Sequence, residues 1–585
     1  MNTVFKKMRI KMICAFALAA ALVIGLFGAT SFAVAGQTPL NPNTLTKYLD
    51  PLPVPGKLDG TVPQTITTSE FTQQVLPSNF TAGPYGGKTL VWGYNNSYPG
   101  PTVEARRDVP FQVTHVNNLY NPSLLSFLPI DQTLHWADPL ECMMDPSCAF
   151  QRYTGPVPVV THLHGGEVPS AFDGHPEAWF TPGLGIVGPA WVSDTFTYPN
   201  SQEAATIWYH DHTLGITRLN VYAGLAGFYL IRDPLNEPAN LPSGPYEREI
   251  AIQDRMFDTN GQLFYPVNGG DGHHDHGGSD HPFWIPMFMG DTIVVNGKVW
   301  PYLNVEPRRY RLRLLNGSNS RIYTLQLQTP SGSTGPAFWQ IGTDGGLLNK
   351  PIKVSRLTIA PGERADVIVD FTGKQGASYI LKNSNSSWSD PVTVSQIMKI
   401  NVSLPLSGTD TSLNPASGPN LRPNNPIVNL ASTVTYSTKR RYMTLEEDRD
   451  TGAFLLNERT FDDPVTEKPR VGATEVWEID NRTGDTHPIH LHLVQFQDLN
   501  ASIPAWKDTI RVDGWRDVSI VVRWAPQDVP AGAVQPGQNL FSFDPTATMG
   551  ATDIFGFPGG PGYVWHCHIL EHEDNEMMRP YLVIP

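Results

Sequence analysis

Near the C-terminus the chain reads Trp565-His566-Cys567-His568-Ile569-Leu570-Glu571-His572-Glu573-Asp574-Asn575-Glu576-Met577. In an extended segment side chains alternate between faces, so His566 and His568 share one face and Cys567 takes the other. A thiolate on one side and two imidazoles on the other imply two metal centres joined by a few covalent bonds. One Cys, two His and a Met make the ligand set of a blue-copper electron-transfer site. This stretch holds Cys567, His572 and Met577, with His487 free to supply the second imidazole and Met578 an alternative thioether. Soft thiolate and thioether select copper over harder ions.

Outward from that stretch, ten of the 17 histidines fall into four clusters: His162/His164, His210/His212, His487/His490/His492 and His566/His568/His572. On a strand, positions i and i+2 point the same way, so each H-x-H pair can reach one site. A closed zinc site uses four ligands and leaves most of these histidines unexplained. A simple electron carrier needs only the thiolate set. Two carboxylates lie next to the motifs, Asp173 in Asp173-Gly-His-Pro-Glu-Ala-Trp179 and Glu573 after His572. Carboxylates suit proton relay because burial can move their pKa toward the working pH, and they equally suit orienting an imidazole.

The rest of the chain reads as β structure. Its 585 residues include 51 Gly and 53 Pro, with 40% hydrophobic and 16% charged residues. That length suggests three or four domains. No G-x-Y repeat is present, which excludes collagen, and the apolar content excludes disorder. Phe111 to Val116, Arg309 to Leu314, Asp366 to Phe371, Ser395 to Val402 and Ser519 to Arg523 alternate or are β-branched, between turn residues. An all-β architecture of sandwiches or barrels follows.

A weak repeat runs through the chain. Glu475 to Asn481 precedes His487 to Leu493, Tyr310 to Asn316 precedes Arg321 to Leu327, and Phe111 to Asn117 precedes Val159 to His164. The middle copy lacks histidines, so the outer units carry the chemistry and the middle one is structural. Pro/Asn/Ser-rich connectors divide the chain into units at 37–235, 246–403 and 427–585, with a linker at 404–426.

Lys6, Lys7, Arg9 and Lys11, the apolar run from Met12 to about Ala29, and Ala33-Val34-Ala35 have a secretory signal-peptide layout over residues 1–35. The mature protein is expected to be exported, periplasmic or extracellular, without stable membrane association once the signal is removed. The formal net charge of −14 argues against non-specific nucleic-acid binding. Of four cysteines, Cys14 lies in the signal segment and Cys567 in the metal motif, leaving Cys142 and Cys148 as the pair able to bridge. Gly269 to His281, which contains His273, His274 and His276, reads as a solvated loop or a labile metal-binding tract. His115 and His135 read as structural.

The four histidine segments together resemble the four copper motifs of the multicopper oxidases, in the bacterial three-domain branch that includes laccases and bilirubin oxidases. The resemblance covers nearly the whole mature chain. It implies three cupredoxin-like Greek-key β-sandwich domains and four copper ions. By that resemblance His487, Cys567, His572 and Met577 hold a type 1 copper, and His162 and His490 hold a type 2 copper. His164, His210, His212, His492, His566 and His568 hold a type 3 pair. The implied reaction is one-electron oxidation of a small aromatic reductant (a phenol, an aromatic amine or a bilirubin-like pigment), with electrons passing through Cys567 and O2 reduced to water. Asp173 and Glu573 match residues that assist proton delivery. Oxidation of Cu(I), Mn(II) or Fe(II) is the alternative within the family, although the 13 methionines are scattered and form no Met-rich segment. A monomer is expected.

Overall fold

The computed structural model describes residues 37–267, 281–385, 392–449, 451–547, 560 and 562–585. The signal segment and His273, His274 and His276 lie outside the described residues. The described chain forms six sheets in three pairs, from strands spanning 57–232, 247–402 and 439–581. Helix is confined to short pieces such as Thr217–Ala223 and Leu570–Glu573. The all-β, cupredoxin-like expectation holds.

The repeat has a structural counterpart. Phe111–Asn117 pairs in parallel with Gln64–Gln73 and antiparallel with Thr195–Tyr198. Arg309–Asn316 pairs in parallel with Glu247–Arg255 and antiparallel with Arg364–Asp370. Thr474–Asn481 pairs in parallel with Lys439–Glu447 and antiparallel with Asp517–Arg523. In each unit the second strand of the repeat (Thr161–His164, Tyr323–Gln328 or His487–Leu491) lies in the partner sheet. The two strands of each repeat therefore carry the chain from one sheet to the other.

Alternation in Phe111–Asn117 follows the period of two, with Phe111, Val113, His115 and Asn117 buried and Gln112 and Val116 exposed. His115 packs edge-on against Phe196, and burial pushes its imidazole down to about 4, so it stays neutral. Both faces of Arg309–Asn316 are covered, so the arginines that alternate with its leucines are interior as well. Arg311 binds Asp366 through Nε at 3.0 Å, while Arg313 Nε reaches Glu247 at 2.6 Å and its Nη1 reaches Thr206 of the first unit at 2.5 Å. Buried charge persists there because each guanidinium has carboxylate partners and Arg313 a hydroxyl as well.

The units interlock. One apolar core runs continuously from the first unit into the second, and another fills the third around Trp477, Ile489, Trp565, Cys567 and Met577. Asp574, after the C-terminal helical turn, accepts the N–H groups of Thr217 and Arg218 at 3.0 Å each, fastening the first unit to the third. Cys142 and Cys148 are disulfide-bonded, with Cα atoms 5.6 Å apart.

Candidate metal centres

Two antiparallel strand pairs bring the histidine motifs together. Thr161–His164 pairs with Thr206–Asp211 so that His162 lies opposite His210, and His487–Leu491 pairs with Tyr563–Cys567 so that His490 lies opposite His566. The two pairs meet face to face. His162 stacks on His492 with ring centroids 3.8 Å apart, so rings from distant parts of the chain share one buried chamber. All eight of His162, His164, His210, His212, His490, His492, His566 and His568 are buried.

Their nitrogens sort into sets. His164, His210 and His568 form one triplet, His212, His492 and His566 a second, and His162 with His490 meets beside His164. The Nε2 atoms of His212 and His492 lie 3.2 and 3.3 Å from Nε2 of His566. Imidazole nitrogens this close need a proton or a cation among them, and bonds of about 2.0 Å to an imidazole-loving metal match the spacing. Burial, and after it the neighbouring imidazoles, holds His162, His164, His212, His490 and His492 well below the usual imidazole range. The rings are therefore neutral, as ligation requires.

Hydrogen bonds select which nitrogen is bare. Nδ1 of His162, His210 and His490 donates to the carbonyls of Asp173, Asp211 and Asp508 at 2.5, 2.8 and 2.8 Å. Their Nε2 atoms are buried without a partner. His164 is reversed, with Nε2 3.1 Å from Asp508 Oδ1 and Nδ1 bare. Orphaned buried nitrogens of this kind are what a metal would satisfy.

The thiolate set lies on the other face of the same strand. Cys567 Sγ is 3.4 Å from His487 Nδ1 and 3.8 Å from His572 Nδ1, and those two nitrogens are 3.2 Å apart. His487 Nε2 donates to Thr483 Oγ1 at 2.7 Å, which turns its Nδ1 lone pair toward the sulfur. Phe454 stacks on His572 at 3.8 Å. Met577 belongs to the apolar core that contains Cys567, whereas Met578 packs with Leu214, Phe461 and Val564. Burial pushes the Cys567 thiol up, so in the absence of a cation the sulfur keeps its proton.

Asp173 and Glu573 both reach the histidine chamber. Asp173 Oδ2 is 2.6 Å from His492 Nδ1, and Glu573 Oε2 is 3.0 Å from His566 Nδ1, with Oε1 3.7 Å from His212 Nδ1. Burial pushes the Asp173 carboxyl well up. Asp508, Arg364 and Glu571 escaped sequence reasoning. Asp508 precedes the strand Thr509–Val512, which pairs with His487–Leu491, and only that register reveals its proximity. Glu571 accepts from Tyr265, Asn319 and Ser320 at 2.7, 2.8 and 2.5 Å, tying the C-terminal helical turn to the middle unit.

Comparison with known proteins agrees with this geometry. Family models described as multicopper oxidase match residues 78–154, 154–236 and 429–530. A laccase of Bacillus subtilis (strain 168) is 39% identical over 552 residues, covering 92% of this chain and 98% of that protein. A laccase of Bacillus stratosphericus is 40% identical over 501 residues, covering 85% and 91%. Among solved structures, the McoA multicopper oxidase of Aquifex aeolicus superposes with a TM-score of 0.66 at 27% identity, covering 92% of this chain and all of that one.

Proposed function

The chain belongs to the multicopper oxidase family and is a copper oxidoreductase that uses O2; from that premise we propose that four copper ions occupy the two buried centres. His487, Cys567 and His572 hold one ion, with Met577 as the weak fourth ligand. His162 and His490 hold a second, and the two histidine triplets hold the remaining pair. The observation that carries this assignment is the division of eight buried histidines into two triplets and a pair, with bare nitrogens in the first triplet and the pair and three Nε2 atoms facing one another in the second.

When bound, copper supplies one-electron oxidation of the reductant and four-electron reduction of O2 to water. The chain does the rest. Cys567 is bonded directly to His566 and His568 through the backbone, a short covalent path between the centres. Backbone carbonyls fix the imidazole tautomers, and complete burial keeps bulk water from the chamber. Asp173, whose Oδ2 accepts from His492 Nδ1, and Glu573, whose Oε2 lies 3.0 Å from His566 Nδ1, relay the protons that water formation consumes.

The reductant class is phenols, aromatic amines or bilirubin-like pigments, supported by similarity to laccases over nearly the whole chain. Export is supported by the basic and apolar N-terminal run and by the Cys142–Cys148 disulfide, since such bonds persist in oxidising compartments. Oxygen uptake measured in parallel with a phenol, bilirubin, Cu(I), Mn(II) and Fe(II) tests the substrate class. Faster turnover of the organic reductants is expected, and uptake with a metal ion alone would overturn the class. Cys567→Ser should remove the visible thiolate-to-copper band and organic oxidation together.

A further inference from the structure

Among the described residues the middle unit contributes no histidine to either centre, yet its strand Arg364–Asp370 begins against the histidine chamber. Arg364 is buried, and its Nη1 and Nη2 donate to Asp508 Oδ1 and Oδ2 at 2.8 and 2.5 Å. Its remaining donors are also engaged, Nε with the Thr206 carbonyl at 2.9 Å, Nη1 with Gly362 at 2.8 Å and Nη2 with Asp344 at 3.2 Å. One guanidinium therefore joins the first unit (Thr206), the second (Gly362, Asp344) and the third (Asp508).

Asp508 sits at the one histidine of the eight in the chamber whose Nε2 meets a carboxylate and whose Nδ1 is bare. Its Oδ1 accepts from His164 Nε2 at 3.1 Å, while its backbone carbonyl accepts from His490 Nδ1 at 2.8 Å. An acceptor on Nε2 requires the Nε2–H tautomer of His164, which leaves the Nδ1 lone pair bare inside the chamber. For His162, His210 and His490 the acceptor is a backbone carbonyl on Nδ1, which leaves Nε2 bare. At His164 it is a buried carboxylate, which is costly unless paired and hydrogen-bonded.

Two glycines make room for the arrangement. A Cβ on Gly165 (φ +88°) would lie 2.5 Å from Asp508 Oδ2 and 2.7 Å from Arg364 Nη2, and one on Gly362 (φ +82°) 2.8 Å from His568 Cδ2. The loop before Arg364 thus presses on one ligand ring while Arg364 holds the acceptor of another.

We propose that Arg364 is a positioning residue of the three-copper centre, contributed by the middle unit, whose copy of the repeat carries no histidine. By fixing Asp508 in a bidentate pair it holds His164 in the tautomer that presents Nδ1 to copper. This rests on the copper assignment above, and it makes that centre a product of all three units rather than of two.

The test compares copper-loaded wild type with Arg364→Met, Arg364→Lys and Arg313→Met. Arg313 is an equally buried arginine that also reaches Thr206 of the first unit but touches no ligand histidine. Copper per chain, the visible thiolate band, the paramagnetic resonance signal of the isolated copper and steady-state kinetics are read on each. Arg364→Met should keep the visible band, lose copper from the histidine chamber and lower kcat at least about tenfold at constant KM for the reductant, in line with outer partners of metal ligands. Arg364→Lys, which keeps the charge without the fork, should retain copper but shift the resonance signal. Arg313→Met should lower thermal stability while leaving copper content and signal unchanged. Wild-type signal and kcat in both Arg364 variants, or the same copper loss in Arg313→Met, would overturn the proposal. A wild type holding copper only at Cys567 would instead sink the four-copper reading beneath it.

Discussion

His164 and His490 lie face to face, their ring centroids 3.6 Å apart and their planes within 9° of parallel, although 326 positions separate them and they belong to different sheets. Neither ring can leave without opening the chamber on the other side. His490→Ala should therefore lower copper in the histidine chamber and slow oxygen uptake by more than about 100-fold, beyond the loss seen for outer partners. The visible thiolate band should survive. Metal analysis with an absorption spectrum checks this, and loss of the band would show that the two centres are not separable.

Asp173→Asn removes the ionisable group beside His492 but keeps an amide of the same shape. The expected result is full copper content with kcat reduced about 100-fold, the lower range for loss of a general acid or base. The acid limb of the kcat pH profile should also change. Copper loss instead would mark Asp173 as an orienting group alone.

Glu167 lies at the junction of the first and third units, where its Oε1 accepts the Gln527 N–H at 3.2 Å. Burial, then Asp528 and Glu203, push its carboxyl up from 4.5 to about 8. The folded protein thus holds a proton that the unfolded chain releases, so stability falls as pH rises from about 4.5 to about 8. Glu167→Gln mimics the protonated form and removes this dependence. Its melting temperature should match wild type near pH 4.5 and exceed it at pH 8 and above, by a few degrees. Equal pH profiles for the two proteins would refute the assignment.

The Cys142–Cys148 bond closes a short loop whose Cys148 carbonyl accepts from Gln132 Nε2 at 3.1 Å. Loop-closure entropy for a ring this small is worth about 2 kcal/mol. Replacing both cysteines by serine should lower the melting temperature by a few degrees and quicken proteolysis between 138 and 152. The copper spectrum should not move, and a changed visible band would mean that the loop supports the thiolate centre.

The motifs were legible because strand alternation is a strict geometric rule: His566, Cys567 and His568 had to split between faces once the segment was extended. The repeat was legible for a similar reason, since buried strands keep their apolar pattern in every unit. Asp508 and Arg364 were not, because nothing local distinguishes a carboxylate that meets a guanidinium 144 positions away from one that faces water. Arg311 and Arg313 alternate with leucines in the sequence, and their burial depends on Asp366, Glu247 and Thr206, which other strands supply. The choice between Met577 and Met578 depended on which core each side chain enters.

Cys567 closes the strand Tyr563–Cys567 between His566 and His568, its side chain on the face opposite theirs, and this sets a length scale. Breathing between the units can loosen the chamber walls, yet the separation of the sulfur from its two neighbouring imidazoles is a matter of bond lengths and one strand's pleat. Electron-transfer rates fall steeply with distance, so a link of this kind should keep the internal transfer step nearly indifferent to thermal motion. Heating should then silence the protein through loss of the chamber while that step still runs at speed.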